Sequence, residues 1–283
     1  MFYLLNILIQ MKILLNNQTL SKTLRPFSDI GFVPTMGGIH EGHISLINKS
    51  IKSNKKTIVS IFVNPKQFNS IKDFKSYPSS IKSDLAILKR IKKLDYVYIP
   101  KFKDIYKNNK KSNIKIEKKY KILCAKFRKG HFEGVLDVMN RLTKLIKPKN
   151  IFMGEKDYQQ FFLVKNFIEK RFNTKIVGCK TIRNRNNLAL SSRNFLFTKK
   201  ELNQVEKISN KFLKLKLKIK IKKIKEINKF LQKSKNEIEN FFNIKIEYLE
   251  NRSIKNLSKS NKFKGSRIFL AYHFKDIRLI DNF

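Results

Sequence analysis

Two histidines three residues apart, His40 and His43, stand just behind a pair of glycines, Gly37 and Gly38, in the stretch GFVPTMGGIHEGH. A spacing of i, i+3 puts both imidazoles on one face of a helix, and a helix N-terminus adds partial positive charge. Glycines let backbone N–H groups come close to a ligand, so the combination predicts a phosphate site. Three further clusters carry groups of the same kind: Asn64-Pro65-Lys66-Gln67-Phe68, Gly154-Glu155-Lys156-Asp157 and Leu190-Ser191-Ser192-Arg193. Hydroxyls, an ammonium and a guanidinium suit chemistry in which negative charge grows on phosphate oxygens, because donors placed there lower the barrier. Each residue has a blander reading when taken alone. A lone histidine is more often a satisfied surface or core residue, Lys156 is one lysine among many, and Ser-Ser-Arg-Asn is an ordinary loop or helix cap. The clustering is what argues for chemistry.

Those clusters need elements to hold them. Five apolar, β-branched runs read as buried strands: Ile30 to Thr35, Thr57 to Val63, Tyr96 to Ile99, Ile151 to Gly154 and Ile176 to Ile182. Between them, Ile44 to Ile51, Ile81 to Ile91, Val135 to Ile146 and Phe161 to Ile168 place apolar residues three and four apart, as amphipathic helices do. Alternation of strand and helix predicts an α/β fold, a Rossmann-like parallel sheet with helices on both faces. All four clusters then fall past strand carboxyl ends, the edge where open α/β sheets bind ligands. Residues 101 to 125 read as a lysine-rich, irregular insertion. After Arg193 the pattern changes to helices over Glu201 to Phe212 and Ile224 to Phe242, then short strands over Ile244 to Leu249, Arg267 to Tyr272 and Ile277 to Ile280. Between the two helices, Leu213 to Ile221 alternates Lys with Leu or Ile, which fits an edge strand and a helical connection equally well. The chain is therefore expected to divide into residues 1–182 and a smaller α+β domain, 183–283.

The chain has 283 residues, 41% of them hydrophobic, which is enough for a globular core. Its formal net charge of +42 would suggest nucleic acid if the basic residues were clustered, but the lysines are spread through every segment. That spread reads as a compositional bias at exposed positions. No specific nucleic-acid partner is expected. Two distant cysteines, Cys124 and Cys179, form no C-x-x-C, so neither a zinc site nor a disulfide framework is indicated, and a reducing, cytoplasmic setting fits. The first ten residues, MFYLLNILIQ, lack a basic flank and a cleavage site, and Lys12 ends the apolar run before it could span a bilayer. They read as an extension, with no membrane partner expected.

With these segments placed, the motifs PTMGGIHEGH, SIFVNPKQF, Tyr77-Pro78, RKGHF, GEKDYQQ, LALSSRN and RLIDN stand in an order and spacing that resembles the pantothenate synthetase (pantoate–β-alanine ligase) family of H-x-G-H nucleotidylyltransferases. The resemblance implies an enzyme using ATP, pantoate and β-alanine. ATP and pantoate give pantoyl adenylate and pyrophosphate, and the β-alanine amine then displaces AMP. It implies an ATP site made of Met36, Gly37, Gly38, Ile39, His40, Glu41, Gly42 and His43, with Gly154, Glu155, Lys156, Asp157, Ile182, Leu190, Ser191, Ser192 and Arg193. His43 is its proton or hydrogen-bond donor, assisted by His40, Lys156 and Arg193, while Gln67 and Gln160 bind pantoate, with Gln67 also near β-alanine. Mg²⁺ is expected on the ATP phosphates, with Asp84 the candidate protein contribution and no resident metal site. A homodimer is implied as well. The chain departs from the family pattern at Lys129, where Pro is usual, and at Asn186-Asn187, where Asp-Gly is usual. These are loop positions that act through backbone freedom. Other readings are an H-x-G-H adenylyltransferase with a different acid or nucleotide substrate, or a basic nucleic-acid-binding protein with a vestigial site.

Overall fold

The computed structural model describes residues 11–107 and 113–283, so the reading of residues 1–10 as an extension lies outside the described residues. Six strands, β1 (Lys12–Leu14), β2 (Ile30–Thr35), β3 (Lys56–Ile61), β4 (Tyr96–Tyr98), β5 (Asn150–Gly154) and β6 (Lys175–Cys179), form one sheet in the order β1-β4-β3-β2-β5-β6. Every pairing is parallel. The intervening helices are α1 (Asn17–Leu24), α2 (Glu41–Ser53), α3 (Ile71–Lys75), α4 (Ile81–Lys89), α5 (Phe102–Ile105), α6 (Cys124–Phe127), α7 (His131–Ile146) and α8 (Tyr158–Ile168). The two-residue period of the strands divides their side chains between two cores. Phe32, Ile58, Tyr98 and Ile151 pack with residues of α1, α7 and α8, while Val33, Val59, Val97 and Phe152 pack with α2 and α4. This is the two-faced parallel sheet expected from the pattern.

The order also locates a switch point. From β2 the chain goes to β3 on one side, and β5 lies on the other. Loops leaving β2 and β5 therefore diverge at the carboxyl edge and open a crevice between them.

The C-terminal segment follows the same alternation with a different result. α9 (Lys199–Ile221) and α10 (Ile227–Phe242) precede an antiparallel sheet of β7 (Lys245–Ser253), β8 (Ser266–Phe274) and β9 (Ile277–Asn282), in that order. Along β8, Ile268, Leu270, Tyr272 and Phe274 pack with α9 and α10, whereas Phe269 and Ala271 join the core beneath α7 and α8. The small sheet is a wall between two cores.

Two open points are settled and one expectation changes. The stretch Leu213 to Ile221 is helical, continuous with the helix that the Thr198–Glu201 capping box opens. Phe212, Leu215 and Ile219 face the core at helical spacing, and the alternating Leu217 and Ile221 are left exposed. Residues 11–29, unassigned from the pattern, supply β1 and α1, the latter capped by the Asn16 side chain. The irregular insertion contains two short helices, α5 and α6, and a 3-10 turn at Lys118–Tyr120. Among the described residues no lysine is buried, in keeping with lysine as a surface bias.

Candidate active site

The loop after β2 is shaped by two left-handed glycines, Gly37 at φ 81° and Gly38 at φ 62°. A Cβ at Gly38 would lie 2.5 Å from the Pro78 carbonyl oxygen, so backbone conformation and space both demand glycine. The N–H groups in this loop, however, already have protein acceptors. Gly37 N–H donates to Thr35 Oγ1, and Asp84 accepts from Gly38 N at 3.0 Å and Ile39 N at 2.8 Å. Asp84 is buried and committed to holding the loop, so it is not the magnesium contact considered from sequence. The glycines thus set the path of the chain more than they offer amides to a ligand.

That path delivers the histidines. His40 is the N-cap of α2, and its Nδ1 accepts from Gly42 N at 3.1 Å. Nδ1 therefore carries no proton, and the neutral ring bears its hydrogen on Nε2. The His40 and His43 rings lie 4.2 Å apart between centroids. Burial and the nearby Lys156 lower the His40 pKa to about 4, and burial, His40 and Lys156 lower that of His43 to about 3. Both are neutral donors near pH 7. His43 Nδ1 is buried without a partner among the described residues.

Both histidines line a cleft with a volume of about 300 Å³ between the carboxyl edge of the large sheet and the small sheet. Met36, Gly42, Gln67, Gly154, Lys156, Asp157, Gln160, Ile182, Leu190, Ser191, Ser192 and Arg193 line it too. Five of the sequence-derived positions do not. Gly37, Gly38 and Ile39 lie behind the lining, Glu41 is exposed, and Glu155 is tied to Arg267 at 2.5 Å.

Each wall is fixed by identifiable bonds. Ser192 Oγ donates to the Gly38 carbonyl at 2.9 Å, clipping the Leu190–Arg193 segment onto the glycine loop. The Arg193 guanidinium donates to both Asp73 oxygens, at 2.8 and 3.0 Å, and to the Arg278 carbonyl at 2.8 Å. In this state the expected phosphate clamp is held by a carboxylate. Asn282 Nδ2, at the end of β9, donates to the Glu155 and Lys156 carbonyls at 2.8 and 2.7 Å, so the small sheet sets the position of the Lys156 turn. Arg183 reinforces that junction with a two-pronged pair to Asp281 at 2.7 and 2.9 Å.

The glutamine side of the cleft depends on close backbone approach. A Cβ at Gly134 of α7 would sit 2.2 Å from the Lys66 carbonyl oxygen, so only glycine allows α7 to pack on the 3-10 turn Pro65–Gln67. Gln67 is buried there, its amide nitrogen bonded to Met36 Sδ and its side-chain oxygen accepting from Asn64 at 3.3 Å. Its backbone carbonyl meets His131 Nδ1 at 2.7 Å and Arg128 Nη2 at 3.4 Å.

Several lining residues were not singled out from sequence. Arg128, His131, Tyr77, Arg278, Asp281 and Asn282 all face the cleft. Each lies inside a motif already noted, RKGHF, Tyr77-Pro78 or RLIDN. The missing signal was position, because nothing in the chain's pattern says that β9 returns to the far sheet edge.

Known proteins resemble the chain along nearly its whole length. The pantothenate synthetase of Flavobacterium psychrophilum is 38% identical over 280 residues, spanning 95% of this chain and 98% of that protein. A crystal structure of the Thermus thermophilus pantothenate synthetase superposes with a TM-score of 0.88 at 29% identity, covering 96% of this chain and 99% of the other. The pantoate–β-alanine ligase from Francisella tularensis, crystallised with beta-gamma ATP and β-alanine, gives a TM-score of 0.81 at 37% identity over 96% of this chain and 97% of that one. The model of the pantoate–β-alanine ligase family matches residues 10–283, and with relatives this similar along their whole length, the chain belongs to that family.

Proposed function

We propose that the cleft carries out both halves of an ATP-dependent joining of pantoate to β-alanine. The observation that carries this reading is convergence: His40, His43, Lys156 and the Ser191–Arg193 segment line one cleft together with Gln67 and Gln160. In the first half a pantoate carboxylate oxygen attacks the α-phosphorus, the bond to the β-phosphate bridging oxygen breaks, and pyrophosphate leaves. His43 and His40 act as neutral donors to the phosphates, and Lys156 supplies positive charge beside them. Donation without proton transfer is the expected role, since a group with a pKa of about 3 is unprotonated at neutral pH.

The nucleotide is assigned to residues 36–43, 154–157, Ile182 and 190–193, and pantoate to Gln67 and Gln160, whose amides offer a donor and an acceptor to a hydroxy acid. In the second half the β-alanine nitrogen attacks the acyl carbon, a C–N bond forms, and AMP leaves with the electron pair of the broken C–O bond. The amine's proton passes to solvent. Mg²⁺ enters as the ATP complex, held by phosphates and water. Among the described residues no group of three or more His, Cys, Asp or Glu side chains is placed to hold a metal ion. Residues 1–182 are assigned as the ATP and pantoate domain and 183–283 as a lid domain. A homodimer in the cytoplasm is part of the proposal. Both cysteines are free, and among the described residues no helix is long and apolar enough to cross a membrane.

The test is AMP formation that requires both pantoate and β-alanine, with pyrophosphate released when pantoate alone accompanies ATP. Equal turnover with unrelated acids would point to a different acyl substrate.

A further inference from the structure

Four carboxylates are buried among the described residues: Asp84, Asp137, Glu206 and Asp281. Asp137 and Asp281 are paired with Arg141 and Arg183, and Asp84 accepts from the backbone of the glycine loop. Glu206, on α9, meets two side-chain amides instead. Asn184 Nδ2 donates to its Oε1 at 2.6 Å and Asn186 Nδ2 to its Oε2 at 2.7 Å. Both asparagines belong to one turn, and the turn's own bonds fix the orientation of the first. Asn184 Oδ1 accepts from Asn186 N and Leu188 N, each at 3.0 Å, so its amide nitrogen is the atom left to face Glu206. Asn187 follows in the left-handed region at φ 66°. Its Nδ2 donates to Asn210 Oδ1 on α9, and the Asn186 carbonyl accepts from Asn210 Nδ2, both at 3.0 Å. Ser209 Oγ adds a bond to the Asn187 carbonyl at 3.2 Å. The Asn186-Asn187 step, a departure from the family pattern in sequence, is the point where the turn is fastened to the helix.

Resting on the reading of Ile182 and residues 190–193 as nucleotide contacts, we infer that Glu206 is a positioning residue for the nucleotide wall of the cleft. The turn is the tip of a short two-stranded arm. Asn184 N donates to the Leu188 carbonyl at 2.9 Å and Leu190 N to the Ile182 carbonyl at 3.0 Å, with Arg183 opposite Ala189. At the base of the arm Ile182, Leu190 and Ser191 line the cleft, and Ser192 ties it to Gly38. At the tip, Glu206 and Asn210 tie it to α9. An arm held at both ends presents Ile182 and Leu190 to a ligand in one place, and a freed tip leaves the base bond alone to do so. The match at the tip is strict. A carboxylate only accepts and the two amide nitrogens only donate, so Glu206 satisfies Asn184 and Asn186 together. Glu206→Gln turns an amide nitrogen on one of them, and Asn184→Asp sets two buried carboxylates against each other while keeping the acceptor for both backbone N–H groups. With both changes made the match returns, because the introduced nitrogen donates to the introduced carboxylate and the remaining side-chain oxygen accepts from Asn186.

The experiment reads this compensation in ligand affinity. In Asn184→Asp, calorimetric binding of a non-hydrolysable ATP analogue is expected to weaken on the order of tenfold, while pantoate, assigned to the glutamine wall, binds within about twofold of the parent. Glu206→Gln alone should weaken the analogue about threefold. The double variant Asn184→Asp/Glu206→Gln should return to within about twofold of the parent, so that two damaging changes together do less harm than either alone. Glu206→Gln and the double variant carry the test if Asn184→Asp does not fold. A role confined to the stability of the fold would weaken both ligands or neither. Parental affinity for the analogue in folded Asn184→Asp, equal losses for analogue and pantoate, or a double variant no better than the single variants overturns the assignment. Analogue binding by the parent chain without AMP formation from pantoate and β-alanine instead overturns the ligase reading, and the compensation is then scored on the analogue alone.

Discussion

The two imidazoles of α2 differ from ordinary histidines because burial and Lys156 keep them neutral well below neutral pH. For catalysis, His43→Ala is expected to cost the adenylation half-reaction roughly 10² to 10³, the scale of one lost transition-state donor. Pantoate-dependent pyrophosphate release measures it, and near-parental rates would remove His43 from the mechanism. For stability, the same neutrality has a definite sign. His131 joins the pair, its pKa lowered to about 3 by burial and by Arg128. These three groups bind protons more weakly folded than unfolded, so their contribution is complete above about pH 6.5 and is lost as pH falls toward 4 and then 3. Each adds up to about 1.4 kcal/mol per pH unit across that window. Urea denaturation between pH 4.5 and 7.5 should therefore show stability falling with acid, with a shallower slope in His131→Gln. An unchanged slope would mean that His131 titrates normally in the folded chain.

At the scale of elements, the site depends on backbones brought unusually close. Gly134→Ala puts a methyl group into the Lys66 carbonyl, so α7 or the Pro65–Gln67 turn must shift. A loss of about 1–3 kcal/mol is expected, together with a raised KM for pantoate as Gln67 moves. Thermal melts and initial rates on the same preparation read both effects, and a stable variant with normal pantoate binding would contradict this account of the packing. Such approaches also mark where sequence reading stops. The strands β2 to β6 and their helices were legible because apolar residues recur at periods of two and 3.6, which burial on both faces requires. The histidine pair and its cleft partners were legible because they sit at strand carboxyl ends. Arg128 and His131 were visible only as part of a motif, since their role comes from a carbonyl on a different loop. The commitment of the Gly38 and Ile39 amides to Asp84 was likewise illegible, being a contact across 45 residues and more. The lysine-rich half of α9 stayed open between strand and helix because Lys between Leu and Ile satisfies either period until the position of the core is known.

For the molecule as a whole, β8 gives alternate side chains to two cores: Phe269 and Ala271 to one, Ile268, Leu270 and Tyr272 to the other. A sheet used from both sides cannot melt for one core alone. A single unfolding transition is therefore expected, with calorimetric and van't Hoff enthalpies that agree. Two resolved transitions would show that the halves fold independently. There is a further consequence for turnover. Swinging residues 183–283 away as a rigid flap would wet Phe269 and Ala271 and break the Arg267–Glu155 pair and the Asn282 bonds to the Glu155 and Lys156 carbonyls in one motion. Within the 183–283 lid, the part that opens at least cost is the narrow strip that carries Ser191 and Arg193, which is fastened by Ser192 hydroxyl and Arg193 guanidinium bonds. The enzyme would then breathe at a seam, and the tempo of release would follow ionic strength more than viscosity.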